Sequence, residues 1–282
     1  MVRIRIILIL TVVVLAAGCG GGGASDDERT NVVASFYPLA FAAEQVGGDS
    51  VRVRNVTPPG AEPHDLEATP GDVQELHDAD LVLLLGDGFQ PQLEEAAGSG
   101  EHVLRLLDVP GLRRPGSNDL HVWLDPVRYS VLVGWVGAAL NRPTASARLD
   151  RRIQALDREY RRGLANCARR EIVTNHAAFG YLADRYRLEQ IPITGSSPEG
   201  EPAPGDLERA VEAVRETGAT TVFVEPLVSA DVAETVAREA GVKTAVLNPI
   251  EGLTESEQAG GADYFSLMRA NLAALREALS CR

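Results

Sequence analysis

The sequence has few cysteines and histidines, no excess of positive charge and no apolar run long enough to cross a membrane. Three cysteines and five histidines occur in 282 residues, and the formal net charge is -13. This acidity argues against nucleic acid as a partner, because DNA and RNA attract basic proteins. The sequence contains no Cys-x-x-Cys and no His-Glu-x-x-His run, so the commonest structural zinc motif and the zincin protease motif are excluded.

The first residues have the pattern of an export signal. Arg3 and Arg5 precede an apolar run at 6–14, which is too short to span a bilayer. We therefore predict that residues 1–18 are a signal peptide and that the mature protein acts outside the cytoplasm.

The residues that follow indicate a lipid anchor. A stretch of small residues ends at Cys19, and this is similar to the lipobox of bacterial lipoproteins, in which that cysteine is acylated. The glycine-rich start of residues 19–30 predicts a flexible tether after the lipidated Cys19. An ordinary signal peptide with an incidental cysteine is the alternative.

The other two cysteines form an even pair if Cys19 carries lipid. Because disulfides form in exported proteins, we predict a bond between Cys167 and Cys281. Two unpaired buried thiols are the alternative.

Short β-rich runs alternate with helical patterns along the chain, which predicts an α/β fold with parallel sheets. The runs are Val32 to Phe36, Val51 to Val56, Leu81 to Leu85, Ile172 to Asn175, Ile191 to Thr194, Thr221 to Val224 and Thr244 to Leu247. Between the third and fourth runs, apolar residues at helical spacing predict one long amphipathic helix.

These patterns predict two α/β lobes, each with a parallel sheet flanked by helices. The N-terminal lobe covers 31–144, the linking helix 145–168 and the C-terminal lobe 169–282. A weak internal echo supports the division, because Pro-Gly-Asp begins a helix before a strand at both Pro70 and Pro204. A ligand site is expected in the interlobe cleft, at the carboxyl ends of the strands. A continuous helix as linker resists bending, so wide hinge closure is not expected.

Three histidines occupy similar places in the pattern. His64, His121 and His176 each lie where an apolar run gives way to a turn or helix. Imidazole nitrogen is a preferred ligand of zinc, so three such groups in one cleft predict a metal site. Taken singly, each also fits a loop or capping histidine.

Four segments in order carry a family resemblance. They are Pro63-His64-Asp65-Leu66-Glu67, His121-Val122-Trp123-Leu124-Asp125-Pro126, Asn175-His176-Ala177-Ala178-Phe179-Gly180-Tyr181 and Leu247-Asn248-Pro249-Ile250-Glu251-Gly252-Leu253-Thr254. They resemble the metal-binding lipoproteins of bacterial ABC importers for zinc and manganese, including zinc binders of the ZnuA and AdcA type. The match covers nearly the whole mature chain. The resemblance also implies two lobes joined by a helix.

The resemblance implies that His64, His121 and His176 are metal ligands. As in some zinc binders of the family, Glu251 would be the fourth, with water as the alternative ligand. Three histidines and one carboxylate suit tetrahedral Zn2+ better than Mn2+, which prefers more oxygen. Manganese binders tend to have an acid in place of the third histidine, so His176 favours zinc.

Other polar residues receive weaker assignments. Glu225 is a weaker candidate ligand and fits a polar group at a strand end. Asp65 and Asp125 adjoin ligand motifs and are candidates for orienting imidazoles. His77 and His102 are predicted to be solvated surface residues. Many zinc members have a long histidine-rich loop between the first two ligand motifs, whereas in this chain the segment from Glu94 to Leu120 contains only His102.

The function implied is capture of zinc outside the cytoplasmic membrane and delivery to the membrane permease of an ABC importer. The protein would be a monomer held at the membrane by its lipid anchor, and not an enzyme. One alternative is a zinc hydrolase in which Glu251 activates water. Another is a surface adhesin that contains structural zinc.

Overall fold

A computed structural model describes residues 29–112, 119–195 and 204–282. The predicted signal peptide, Cys19 and nearly all of the predicted tether lie outside these residues. In the described part of the chain, no helix has both the length and the apolar character needed to cross a membrane.

The first half of the chain forms a parallel four-stranded sheet with the order β2-β1-β3-β4. Its strands are β1 at Thr30–Ala34, β2 at Val51–Asn55, β3 at Leu81–Leu84 and β4 at Val103–Arg105. Val32 at the centre pairs with Val53 on one side and Leu81 on the other. The predicted runs correspond to β1, β2 and β3, whereas β4 was not predicted.

Four helices flank this sheet, and each has proline in its first turn. They are α1 at Tyr37–Gly47, α2 at Pro70–Asp78, α3 at Pro91–Ala97 and α4 at Pro126–Ala139. Proline suits this position because the first amide groups of a helix have no partner within it. In α2 a capping box between Thr69 and Asp72 strengthens the same boundary.

The long helix between the two sheets is α5, at Pro143–Gly163. It is shorter at its carboxyl end than the predicted span of 145–168. The helix ends early because the amide groups of Ala168 and Arg169 donate to the carbonyl of Leu279 instead of to helix carbonyls. The predicted apolar stripe along this helix, from Leu149 to Tyr160, is buried.

The second half repeats the topology of the first, with a parallel sheet in the order β6-β5-β7-β8. Its strands are β5 at Glu171–Thr174, β6 at Glu189–Pro192, β7 at Thr221–Val224 and β8 at Lys243–Val246. Its helices are α6 at Gly180–Tyr186, α7 at Pro204–Thr217, α8 at Asp231–Ala240, α9 at Glu255–Ala259 and α10 at Tyr264–Ala278. The two helices of the Pro-Gly-Asp echo, α2 and α7, lead into the corresponding strands β3 and β7. The α/β prediction of two parallel sheets flanked by helices is confirmed.

One large core joins the two halves. It includes buried aromatic side chains from α4, α5 and α10, among them Tyr129, Tyr160 and Tyr264. The Tyr160 hydroxyl donates to the Met268 carbonyl at 2.6 Å, and the Tyr264 hydroxyl donates to the Trp123 carbonyl at 2.6 Å. These buried polar contacts fix how α10 packs on the helices before it.

A disulfide lies at the boundary between α5 and the second sheet. The Sγ atoms of Cys167 and Cys281 are bonded, 1.97 Å apart. Beside them, the Arg282 amide donates to the Asn166 carbonyl at 2.9 Å. The carboxyl end of the chain is therefore tied to the beginning of the second half.

Candidate metal centre

His64 lies on a loop after β2 that contains three prolines. The backbone of this segment is restricted by Pro58, Pro59 and Pro63. The loop therefore loses little conformational entropy when His64 is fixed in position to bind a metal. The imidazole packs edge-on against Phe89, with ring centroids 4.4 Å apart. About an eighth of the side chain stays exposed, 12%, so His64 is on the solvent side of the group.

We call residues 57–66 the His64 loop. Its Gly60 amide donates to the Leu253 carbonyl at 2.8 Å, on the loop that carries Glu251. Gly60 has φ 81, a conformation that glycine adopts without strain. This bond connects the ligand loops of the two halves.

His121 lies just before α4 and is held by an acid two residues earlier. Asp119 Oδ1 accepts from the His121 amide at 2.8 Å and lies 2.7 Å from the imidazole Nδ1. The other oxygen of Asp119 accepts from the Tyr181 amide at 3.3 Å, at the start of α6. Both His121 and Asp119 are buried. The imidazole is thus oriented with Nε2 directed at Glu251.

His176 follows the carboxyl end of β5 and is held in the same way by Glu225, which follows β7. The imidazole Nδ1 is 2.7 Å from Glu225 Oε2, and the His176 amide donates to Oε1 at 3.2 Å. The His176 carbonyl accepts from Thr174 Oγ1 and Gln190 Nε2. Every hydrogen-bonding group of His176 except Nε2 is therefore used.

Glu251 is placed by a strained turn after β8. Ile250 has φ 58, which is rare for a β-branched residue and costs about 1–3 kcal/mol. The Ile250 amide donates to Asn248 Oδ1 at 2.7 Å, and Trp123 Nε1 donates to the Pro249 carbonyl at 2.8 Å. These two bonds keep the turn in its unusual conformation and bury the Glu251 carboxylate.

The four predicted ligand residues converge on one point. One ligand atom from each of His64, His121, His176 and Glu251 lies within 4.8 Å of all the others. Glu251 Oε1 is 3.2, 2.7 and 3.5 Å from the Nε2 atoms of the three histidines, in that order. The Nε2 of His121 is 3.4 Å from that of His64 and 3.3 Å from that of His176. Ligands around tetrahedral zinc, with bonds of about 2.0–2.1 Å, stand roughly 3.3 Å apart, so these distances fit such an ion.

The charges of the group are strongly coupled. Burial would raise the pKa of Glu251, but hydrogen bonds from the three histidines hold it well below its usual value. Burial opposes the charged form of His176, yet Glu225 and Glu251 raise its pKa to about 10. Asp119 and Glu251 likewise raise the pKa of His121 against the effect of burial. In the protein without metal, the neighbouring carboxylates thus favour the protonated form of His121 and His176.

A further acid, Glu62, lies beside this group on the His64 loop. Burial, and then the charge of Glu251, raise its pKa to about 7. Its Oε2 accepts from the Asp65 amide at 3.2 Å, whereas its buried Oε1 has no hydrogen-bond partner among the described residues. Glu62 was not singled out in the sequence.

Two of the acids expected to orient imidazoles do something else. Asp65 is exposed, and its side chain accepts no bond from an imidazole among the described residues. Asp125 caps α4 through the Val127 amide and pairs with Arg128 and Arg185. That prediction was wrong, because the side chains that hold the imidazoles belong to Asp119 and Glu225.

The remaining histidines lie outside the group. His77 is exposed in the last turn of α2, and His102 is partly exposed in the turn before β4. Among the described residues, the only cluster of three or more metal-ligating side chains is the one at His64, His121, His176 and Glu251. It offers three nitrogens and one oxygen, a set typical of zinc.

Comparison with known families supports this chemistry. Residues 32–278 match the family model described as "Zinc-uptake complex component A periplasmic". The chain belongs to this family. The predicted resemblance to importer metal-binding proteins of the ZnuA and AdcA type is confirmed.

Curated relatives of the family are similar over most of this chain. The zinc-binding lipoprotein AdcA of Streptococcus pneumoniae is 32% identical over 281 residues, which cover 89% of this chain and 56% of AdcA. The high-affinity zinc uptake system protein ZnuA of Bacillus subtilis is 32% identical over 282 residues, 89% of this chain and 88% of that protein. The chain thus spans about half the length of the AdcA relatives but most of ZnuA.

Solved structures show the same fold. The Zn(II)-bound ZnuA-like domain of Streptococcus pneumoniae AdcA has a TM-score of 0.76 and 32% identity, covering 89% of this chain and 99% of that one. The laminin binding protein Lmb of Streptococcus agalactiae has a TM-score of 0.81 and 28% identity, with 89% and 99% covered. Lmb is described as bifunctional, with adhesin and metal transporting activity, so the two functions coexist in that protein.

Family membership also bears on the enzyme alternative. The family model is described as a zinc-uptake component, and the curated relatives are named for zinc binding and uptake, in agreement with the prediction that the chain is not an enzyme. Relatives are Zn(II)-bound, and the chain has a side-chain group that could hold a metal ion. The hydrolase hypothesis therefore loses its support.

Proposed function

We propose that the protein captures Zn2+ outside the cytoplasmic membrane and delivers it to the membrane permease of an ABC importer. His64, His121, His176 and Glu251 are the ligands, and zinc is the transported ion. Mn2+ binds less well because the site offers only one carboxylate. The observation that carries the proposal is the mutual spacing of the four ligand atoms, which fits a tetrahedral ion.

The location follows from the beginning of the chain. Cys19 carries the lipid that anchors a monomer to the cell membrane, with residues 19–30 as its tether. The relatives named zinc-binding lipoproteins support this arrangement.

The ligand set is tested by calorimetric titration of metal-free protein with Zn2+ and Mn2+. The parent and His77→Ala should bind one Zn2+ tightly and reversibly, and Mn2+ more weakly, whereas His176→Ala should lose tight binding. His77 is a matched control because it is an exposed histidine outside the group. Failure of the parent to bind zinc would refute the proposal, as would equal loss in both variants.

Delivery is tested in cells. Zinc-limited cells that lack this protein should recover uptake of radioactive zinc when they express the parent, but not when they express His176→Ala. A Cys19→Ala variant that is still exported should appear in the medium instead of the membrane fraction. Undiminished uptake by His176→Ala would separate delivery from the ligand set proposed here.

A further inference from the structure

A cavity lined by four arginines lies near the amino end of the second sheet. It has a volume of about 310 Å³, and its lining includes Arg161, Arg170, Arg185, Arg187 and Tyr186. Among the described residues that line it, none is acidic. We call this space the arginine cavity.

The arginine cavity lies in a segment whose charge is opposite to that of the whole chain. From Arg142 to Arg187 there are eleven arginines and five acidic residues, although the formal net charge of the chain is -13. Positive charge is therefore concentrated in α5, α6 and the turns that follow them. An anion near this surface meets local attraction in a protein that otherwise repels it.

Two of the four arginines form hydrogen-bonded ion pairs with buried acids. Arg161 Nε donates to Asp157 Oδ2 at 2.7 Å, and Arg185 donates through Nε and Nη2 to Asp125 at 2.9 Å each. A guanidinium has five N–H donors, so each of these arginines keeps donors for another partner. The acids fix the positions of the guanidinium groups without filling the cavity.

The guanidinium groups of the other two arginines do not pair with any acid among the described residues. Arg170 donates to the carbonyls of Leu164 and Ala165 at 2.9 and 3.0 Å, which are uncharged partners. Arg187 is exposed at the end of α6, and no carboxylate of the described residues lies within ion-pair distance of it. The arginine cavity thus has more positive charge than its neighbouring acids balance.

The arginine cavity is separate from the candidate metal centre. Arg170 directly precedes β5, whereas His176 follows the other end of that strand. Six extended residues separate the two by up to about 20 Å. The residues that line the cavity and the four candidate metal ligands are separate sets.

We propose that the arginine cavity is a binding site for an oxyanion of the phosphate class. Guanidinium groups bind phosphate oxygens through paired, charge-assisted hydrogen bonds, and four arginines line this one cavity. The same chemistry recognises free phosphate and the phosphate headgroup of an anionic lipid. This site does not depend on the proposed zinc transport.

The binding test uses inorganic phosphate titrated into the purified protein at constant ionic strength, followed by calorimetry. Arg187→Asn removes one guanidinium at a position with φ 58, a conformation that asparagine tolerates. Arg161→Gln with Arg187→Asn removes two. The matched control is Arg148→Gln with Arg151→Gln, the same change of charge at exposed positions of α5.

The parent should bind phosphate saturably at one site. Arg187→Asn should weaken binding about fivefold and the double variant at least tenfold, while the control pair changes it less than twofold. Thermal unfolding and zinc titration confirm that each variant is folded. Absence of saturable binding in the parent, or equal weakening in the control pair, would overturn the proposal.

Vesicles separate the two sources of the anion. If lipid is the source, the protein should cosediment with phosphatidylglycerol vesicles but not with phosphatidylcholine vesicles. Arg187→Asn and the double variant should then reduce the cosedimented fraction more than the control pair does. If the parent binds phosphate but the arginine-cavity variants lose no more vesicle binding than the control pair, the site is assigned to free phosphate.

Discussion

His121 and His176 are held differently from His64, although all three imidazoles point at the same place. The Nδ1 atoms of the first two bond to the buried carboxylates of Asp119 and Glu225. His64 lies instead on a proline-rich loop and rests against Phe89. No acid among the described residues bonds to its Nδ1.

This difference divides the site into a part that is fixed before metal binds and a part that is carried by a loop. A carboxylate on Nδ1 fixes the tautomer and aims Nε2, so His121 and His176 are set before a metal arrives. His64 is positioned by the backbone of its loop and is the most exposed of the four ligands. We therefore expect metal to enter and leave past His64, while the other side of the site stays fixed.

The largest effects should come from removing one histidine of each kind. His176→Ala should weaken zinc binding at least a thousandfold, about 4 kcal/mol. It also leaves the Glu225 carboxylate buried without its partner, which should destabilise the metal-free protein by on the order of 3 kcal/mol. His64→Ala should weaken zinc binding about a hundredfold, since water can occupy the exposed position, and should change stability little. Chelator competition gives the affinities, and urea unfolding gives the stabilities.

Equal loss of stability in the two variants would contradict the distinction between a fixed and a loop-borne ligand. His77→Ala serves as the control for both measurements, because His77 is exposed on α2.

The carboxylates that hold the imidazoles should have the next largest effect. Asp119→Asn and Glu225→Gln keep the size of the side chain but lose the charge that favours the correct tautomer, so zinc affinity should fall about 10- to 100-fold. Asp65→Asn, next to His64 but exposed, should change it less than twofold. Unchanged affinity in Asp119→Asn and Glu225→Gln would mean that packing alone aims these rings.

Acidity should act on the fixed side of the site. The pKa of His176 is raised to about 10, so metal-free protein is protonated there at pH 7, and zinc must displace that proton. Affinity should therefore rise about tenfold per pH unit between pH 6 and 8 for each proton released. The raised pKa has the opposite effect on metal-free protein, whose added stability is complete below about pH 6.5 and is lost as pH rises through about 10.

Calorimetry in two buffers of different ionisation enthalpy measures the released protons at pH 7. A buffer-independent heat of zinc binding would show that no proton is displaced and would refute this coupling.

The smallest effect should come from the backbone of the His64 loop. Gly60→Ala places a Cβ at φ 81, which costs about 1 kcal/mol and strains the bond to Leu253. Zinc should dissociate a few times faster, with little change in unfolding. The control is Gly71→Ala, in the first turn of α2 at a glycine without positive φ, which should leave the dissociation rate unchanged. Similar rates in the parent and both variants would show that the His64 loop does not control zinc release. Stopped-flow transfer of zinc to a chelator measures these rates.

Most strands of the two sheets could be predicted because the central strands are continuous apolar runs. The exception is β4, three residues at the edge of the first sheet that are all only partly buried. Its existence depends on pairing with β3, a tertiary contact that leaves no local pattern. The end of α5 could not be read either, because it is set by the carbonyl of Leu279, more than a hundred residues away.

The four residues that converge could be named from motifs, but the groups that hold them could not. Asp65 and Asp125 were chosen as sequence neighbours of ligands, and both face elsewhere. Asp119 stands two residues before His121, a separation that returns a side chain to the same face of an extended segment. Glu225 reaches His176 only because β5 and β7 are paired, which the order of motifs does not reveal.

The disulfide between Cys167 and Cys281 has a consequence for degradation. Residues 167 to 281 form a covalent ring that contains His176, Glu225 and Glu251. A protease that cuts this ring once leaves its pieces joined, so two of the proposed ligands and their supporting acid stay on one molecule. Under reducing conditions the same cut would divide the polypeptide in two.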